Sequence, residues 1–211
     1  QGSPAWADVG IFAPYELHRF YGDLRYAEHY YEEMVRYLDF LRKRAKNHLQ
    51  PATGYGDWVS VGSNTPKDVI ATAFYAESTR RLAALADALG KPRDADRFRA
   101  LREEIRSAFQ RAYVTGDGRV KGNTQTSYIL SLAFELLDEP ERSRAVEHLV
   151  TDIRAHDNHL TTGFVGTPFL LPVLTQFGHE DVAYDLLLQE TFPSWLYPVK
   201  HGATTIWERW N

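Results

Sequence analysis

Charge comes and goes along this chain in helix-length blocks, and that alternation constrains the fold more than any other feature of the sequence. From Asp23 to Lys46, the apolar positions Leu24, Ala27, Tyr31, Met34, Leu38, Leu41 and Ala45 fall three and four apart among charged neighbours. That is the pattern of a helix with one face in the core and one in water. The stretches 94–113 and 141–155 repeat it with Phe98, Leu101, Ile105 and Ala108, and with Ala145, Val146, Leu149 and Ile153. Between them lie stretches of another kind. Residues 124–137 hold one ionisable group, Glu135, and residues 163–177 hold none. A helix that is neutral all round is expected to be buried on all sides.

In order, the reading is neutral 8–21, charged 23–46, mixed 66–90, charged 94–113, neutral 124–137, charged 140–155, neutral 163–177 and charged 180–190. Inner and outer helices in alternation mean an all-α chain of helical hairpins, closed into a ring or stacked as a solenoid. Thr65-Pro66 is expected to cap the helix that follows, and Gly90-Lys91-Pro92 to end it. Gly22-Asp23 and Gly178-His179 are expected to be tight links. Val114–Val120 is expected to form a small hairpin around Asp117-Gly118.

Loops rich in Gly, Thr and aromatics enter the inner helices: Gly54–Trp58, Gly122–Thr126, Thr161–Pro168 and Gly202–Thr205. In a ring they fall on one face and converge on one pocket, whereas a solenoid spreads them along a groove. Their starts near 54, 122, 161 and 202 are too irregular for a simple repeat array.

Composition narrows the chemistry. The 211 residues, 44% of them apolar, suffice for one domain with a substantial core. A net charge of −4 without a basic stripe gives nucleic-acid binding no support. The absence of cysteine removes disulfides and thiolate metal sites. No uncharged run approaches the roughly 20 residues that span a bilayer, so no membrane partner is expected. Gln1–Pro4 has neither the basic nor the apolar region of a secretory leader. No phosphate loop, nucleophile elbow or zinc-binding helix is present, and no cofactor is expected. His156 and His159 flank Asp157-Asn158, but without a matched partner they make a poor metal site.

The chemistry concentrates in Gly202-Ala203-Thr204-Thr205-Ile206-Trp207-Glu208-Arg209-Trp210-Asn211. Indole faces stack on sugar C–H surfaces, and a carboxylate in a partly dry cleft moves protons. Glu208 is the candidate catalytic carboxylate, held ionised by Arg209 and nearby donors or, on the plainer reading, locked in a structural ion pair. Asp57 and Trp58 invite two readings as well: a carboxylate gripping sugar hydroxyls beside a stacking indole, or an Asp binding backbone amides and a Trp plugging the core. Trp195 and Trp207 are candidate subsite walls. Gln125 either reaches ligand hydroxyls or caps a helix, and His201 either tunes the site or is a solvated loop residue.

Taken together, Gly56-Asp57-Trp58 with Thr65-Pro66, Ala86, Leu89-Gly90-Lys91, Thr124-Gln125-Thr126, Thr162-Gly163-Phe164 with Gly166-Thr167-Pro168, Pro193-Ser194-Trp195 and Gly202–Trp210 resemble the catalytic domain of bacterial α-L-rhamnosidases. The likeness covers nearly the whole chain, including Pro4–Asp8, and is most specific in Gly202–Trp210. It implies an (α/α)6 barrel of six helical hairpins, and hydrolysis of terminal α-L-rhamnosyl linkages with inversion. It also implies Glu208 as the general base, Trp58 lining the rhamnose subsite, and a rhamnose-containing small molecule or oligosaccharide as partner. The family's general acid lies in an Asp-Glu-Arg motif upstream of the Trp6 region. The expectation is therefore that residues 1–211 are part of one such domain, truncated at both ends, with about four hairpins and the start of a fifth. Oligomeric state stays open. Two other readings stand beside this one: another (α/α)6 sugar hydrolase of the trehalase or glucoamylase kind, or a non-catalytic helical-hairpin module that binds sugar or protein.

Overall fold

The computed structural model describes residues 2–211. They are all-α: the only β features among them are isolated bridges, Lys46 with Leu49 and Val114 with Val120. No helix among the described residues is long and apolar enough to cross a membrane. The chain divides into two compact units, one formed by the stretch up to Tyr55 together with Lys67–Tyr113, the other by Gly56–Pro66 and Val114–Asn211.

The first unit is organised around α4 (Lys67–Ala88), which packs against α5 (Pro92–Tyr113), α1 (Val9–Tyr21) and α3 (Tyr31–Arg44). The sequence reads α4 as mixed, yet it is the most enclosed helix of the unit, with residues from Val69 to Ala86 buried nearly all round. Its charges are tolerated because they pair. Glu77 accepts from Arg80 and Arg81, and Arg81 reaches on to Glu16 at 2.6 Å. Gly90 ends α4 as expected, with φ +70°. The Lys91 amide donates to Ala86 O at 2.8 Å and the Gly90 amide to Asp87 O at 2.9 Å, closing the last turn through a left-handed residue.

Three expectations change in this unit. The charged stretch 23–46 is not one helix: α2 (Arg25–His29) and α3 are separated at Tyr30, whose ψ of +18° leaves the helical well. Tyr31 then turns inward, and its hydroxyl donates to Asp94 at 2.9 Å. Lys67 opens α4, so Pro66 stands one place before the first helical residue. Neutral α1 is not buried on all sides: Ile11 and Pro14 are buried, while Val9, Phe20 and Tyr21 are exposed. Low charge permits burial but does not supply a neighbour on every face.

The second unit stacks α6 (Gln125–Ala133) against α7 (Glu141–Ala155) and α8 (Thr167–Gln176), and α8 against α9 (Glu180–Leu187). Each residue of α6 from Gln125 to Leu132 is buried, as its neutral composition requires. Thr124 starts it with a capping box shared with Ser127. It stops at Phe134, earlier than the neutral stretch, because Glu135 adopts φ +54°. Gly178, at φ +78°, ends α8 with the same closing pattern as α4: the His179 amide donates to Leu174 O at 2.9 Å. The hairpin at Asp117-Gly118 forms, the Thr115 amide donating to Arg119 O at 3.0 Å. Residues 196–200 make a short helical turn, α10 (Leu196–Lys200). Residues 163–166, shared in the sequence reading by the entry loop 161–168 and the neutral stretch 163–177, belong to the loop, and their backbone amides serve the site described next.

Candidate active site

Everything in the candidate site lies within the second unit. The turn 56–62 presents Trp58. Gly56 and Gly62 take φ +75° and +64°, and Val59, next to Trp58, takes φ +57°. A β-branched residue in the left-handed region is strained, and such strain persists only where its surroundings over-determine it.

Asp57 supplies that surrounding. Its side chain is buried, and four donors converge on it. Oδ2 accepts from Thr126 Oγ1 at 2.5 Å and from the Gly163 amide at 2.9 Å. Oδ1 accepts from the Val165 amide at 2.8 Å and the Gly166 amide at 3.3 Å. The expectation of a grip on sugar hydroxyls gives way to the backbone-amide reading: the oxygens are engaged with the loop that enters α8. A carboxylate is the right group for this work, since it offers about four acceptor sites and no donor.

The 161–166 strap is fastened to the Trp58 turn at further points. The Phe164 amide donates to Trp58 O at 2.9 Å, and the Val61 amide to Thr161 O at 3.1 Å. Gly163 must be glycine here: a Cβ would collide with Trp58 O and stand within 2.7 Å of Ser60 N. Gln125 is fully buried and neither caps α6 nor faces a cleft. Its amide accepts from Thr161 N at 2.8 Å and donates to His159 O at 3.2 Å, stapling the start of the strap.

The strap also holds the last residues. Trp210 Nε1 donates to Thr162 O at 3.3 Å, and Trp195 meets Trp210 edge to face with centroids 5.5 Å apart. Glu208 is brought to Trp58: the indole Nε1 donates to Glu208 Oε1 at 3.3 Å. That bond, rather than Arg209, is the contact made by this carboxylate. Glu208 is exposed, Trp58 is 43% exposed and Trp207 36% exposed, so one carboxylate and two indoles remain open to a ligand. Trp58 does not plug the core. His201 turns away, its Nδ1 lying 2.8 Å from Tyr197 O. His156 and His159 both bond backbone carbonyls, and no metal-binding cluster is found among the described residues.

Of the four glycine- and threonine-rich loops, residues 56–58, 122–126 and 161–166 meet around Asp57, and Thr65 joins Thr124 through their hydroxyls at 2.7 Å. The 202–205 loop bonds only locally, the Ala203 amide to Pro198 O. It is the residues beyond it that reach the site. Sequence reasoning missed Thr126, Thr162 and Gly163 as supports. They stood in the sequence only as members of the Gly- and Thr-rich entry loops and of the family-like motifs, with no role assigned.

A family model described as the bacterial alpha-L-rhamnosidase 6 hairpin glycosidase domain matches residues 1–211. An alpha-L-rhamnosidase of Streptomyces avermitilis is 49% identical over 210 residues, covering 100% of this chain and 20% of that protein. One from Formosa agariphila is 38% identical over 218 residues, covering 99% of this chain and 23% of its own length. The crystal structure of the Streptomyces avermitilis alpha-L-rhamnosidase complexed with L-rhamnose superposes with TM-score 0.96 over 99% of this chain and 20% of that one. The alpha-L-rhamnosidase structure from Dictyoglumus thermophilum gives TM-score 0.93 at 33% identity, over 100% of this chain and 25% of that one. The chain thus spans 20–23% of the length of these two curated relatives. Its matched domain and its helical hairpins agree: the chain belongs to the bacterial α-L-rhamnosidase six-hairpin glycosidase family.

Proposed function

We propose that residues 1–211 form one portion of a larger catalytic domain that releases terminal α-L-rhamnose from rhamnosides with inversion, with Glu208 as the general base. The observation that carries this reading is the 3.3 Å bond from Trp58 Nε1 to Glu208 Oε1, which sets an exposed carboxylate beside an exposed indole face. The relative crystallised with L-rhamnose supports the sugar's identity.

In the proposed reaction, Glu208 takes a proton from a water that attacks the anomeric carbon. The bond from that carbon to the glycosidic oxygen breaks on the opposite face, and a carboxylic acid protonates the leaving oxygen. Inversion requires the two carboxyl groups roughly 6.5–9.5 Å apart, with the water between base and sugar. The acid is assigned to a carboxyl outside residues 1–211. Trp58 and Trp207 offer indole faces to the sugar's C–H surface. Trp195, braced edge-on by Trp210, frames the subsite. Asp57 supports the site from beneath.

The test is proton NMR of the complete protein hydrolysing an aryl α-L-rhamnoside. β-L-Rhamnose should appear first and mutarotate afterwards. Initial release of the α anomer would overturn inversion, and cleavage of glucosides in place of rhamnosides would overturn the substrate class.

A further inference from the structure

Trp58 reaches Glu208 from a strained turn. Trp58 is half exposed and Val59 has φ +57°. The Ser60 amide closes the turn on Asp57 O at 3.1 Å, but that bond is local and fixes no orientation toward Glu208. The orientation comes from the 161–166 strap, and three of the strap's amides are gathered by one side chain. Asp57 draws the amides of Gly163, Val165 and Gly166 onto a single carboxylate and ties them to Thr126 on α6. With these in place, Gly163 lies against Trp58 O and the Phe164 amide bonds it. The same strap receives Trp210 Nε1 at Thr162 O, two residues after Glu208. The strap therefore bonds Trp58 directly and Trp210, two residues beyond Glu208, and Asp57 gathers three of its amides.

An exposed glutamate samples several rotamers, and a charge-assisted bond from a fixed indole N–H selects among them. A general base acts only when its oxygen meets the attacking water at the right place, and displacements of about 1 Å can cost on the order of 100-fold in rate.

We propose that Asp57 is a positioning residue for Glu208: by locking the 161–166 strap to the Trp58 turn it holds the indole N–H against the base, and so it governs turnover without touching the sugar. The proposal rests on the assignment of Glu208 as base.

Asp57→Asn is the informative change. An amide keeps one acceptor oxygen for two of the strap's amides but points an N–H₂ at the Gly163 amide, donor against donor. Thr126→Val removes one donor and leaves the carboxylate. Trp58→Phe keeps a ring and removes the indole N–H. All three, the double variant Asp57→Asn/Trp58→Phe, and Glu208→Gln are compared in the complete protein on an aryl α-L-rhamnoside, with circular dichroism as the folding check.

The expected result for Asp57→Asn is a kcat lower by roughly 10- to 100-fold with KM within about threefold of the parent. Thr126→Val should move kcat the same way by less. The double variant should be no slower than the slower single variant, because both changes break one device. A raised KM with kcat preserved would overturn the proposal by making Asp57 a sugar ligand. Losses that multiply in the double variant would overturn it by making Asp57 act independently of Trp58. Should Asp57→Asn fail to fold, an unchanged kcat for Thr126→Val overturns it in its place. If Glu208→Gln keeps most activity, the base assignment falls and this proposal with it. If Glu208→Gln is inactive while Asp57→Asn is fully active, the positioning role alone falls.

Discussion

The indole nitrogen of Trp58 lies 3.3 Å from Oε1 of Glu208, joining residues 150 apart in sequence at the open surface of one helical unit. The contact is set by side-chain length. Glu208→Asp withdraws the carboxylate by one methylene from an indole fixed by the strap. In the complete protein, kcat should fall by about 100-fold, with thermal unfolding unchanged because the residue is exposed. Kinetics and a melting curve on the same sample check both halves.

Two glycines should respond oppositely to the same added methyl. A Cβ at Gly163 meets Trp58 O, Ser60 N and Asp57 O, all backbone atoms that cannot step aside. Gly163→Ala should destabilise by about 1–3 kcal/mol and slow turnover. Gly10 lies in α1, and a Cβ added there would have nothing within 4 Å. Gly10→Ala should stabilise by roughly 0.5–1 kcal/mol through helix propensity. Urea unfolding of the two variants beside the parent gives both signs.

The buried ion network of α4 makes a stability prediction. Arg81 Nε donates to Glu77 at 2.7 Å and Nη1 to Glu16 at 2.6 Å, while its guanidinium lies 3.8 Å from the centre of the Phe12 ring. Arg81→Ala removes one partner from a buried carboxylate that Arg80 still pairs, and should cost about 1–3 kcal/mol. Arg81→Lys should restore only part of this, because one ammonium cannot reproduce the two-pronged, stacked arrangement. Denaturant midpoints of the two variants decide it.

Asp8 predicts a pH dependence. It accepts from Ser78 Oγ at 2.6 Å, the Ala5 amide at 2.8 Å and Tyr37 Oη at 3.2 Å, yet burial outweighs these bonds and pushes its carboxyl above the ordinary value of 3.8. The folded chain therefore holds this proton at pH values where the unfolded chain has released it. The resulting stabilisation is complete below 3.8 and is lost as pH rises through the higher folded value. Asp8→Asn cannot ionise. The parent's stability relative to this variant should be greatest at the acid end and decline upward from pH 3.8, read as urea midpoints at a series of pH values. A difference that grows with pH would contradict it.

Much of the fold was legible because charge distribution and burial obey the same rule. α6 is apolar or neutral on every face, and each of its first eight residues is buried. α7 buries the stripe its spacing marks out, and α5 buries Phe98, Ile105 and Ala108 of its stripe while Leu101 stays half-buried. What was not legible depends on partners far away in sequence. Local sequence left 163–166 between two readings, the loop 161–168 and the neutral stretch 163–177, and it is Asp57, over a hundred positions earlier, that takes the amides of Gly163, Val165 and Gly166. For the same reason Asp57 itself read equally well as a sugar ligand, since a carboxylate in a glycine-rich loop looks alike whether its donors are hydroxyls or amides. Gln125 read as a ligand contact or a cap because it opens a helix, while its amide instead staples the loop from His159 to Thr161. Trp58 and Glu208 were each conspicuous and the resemblance assigned both to one subsite, but only the folded chain shows the bond that joins them.

The most direct measurement replaces the base and supplies its substitute. In the complete protein, Glu208→Gly should hydrolyse an aryl α-L-rhamnoside orders of magnitude more slowly than the parent. Added azide, a nucleophile that needs no base, should restore turnover and yield β-L-rhamnosyl azide. Retention of most hydrolytic activity by Glu208→Gly, or an α-configured azide product, would contradict the account.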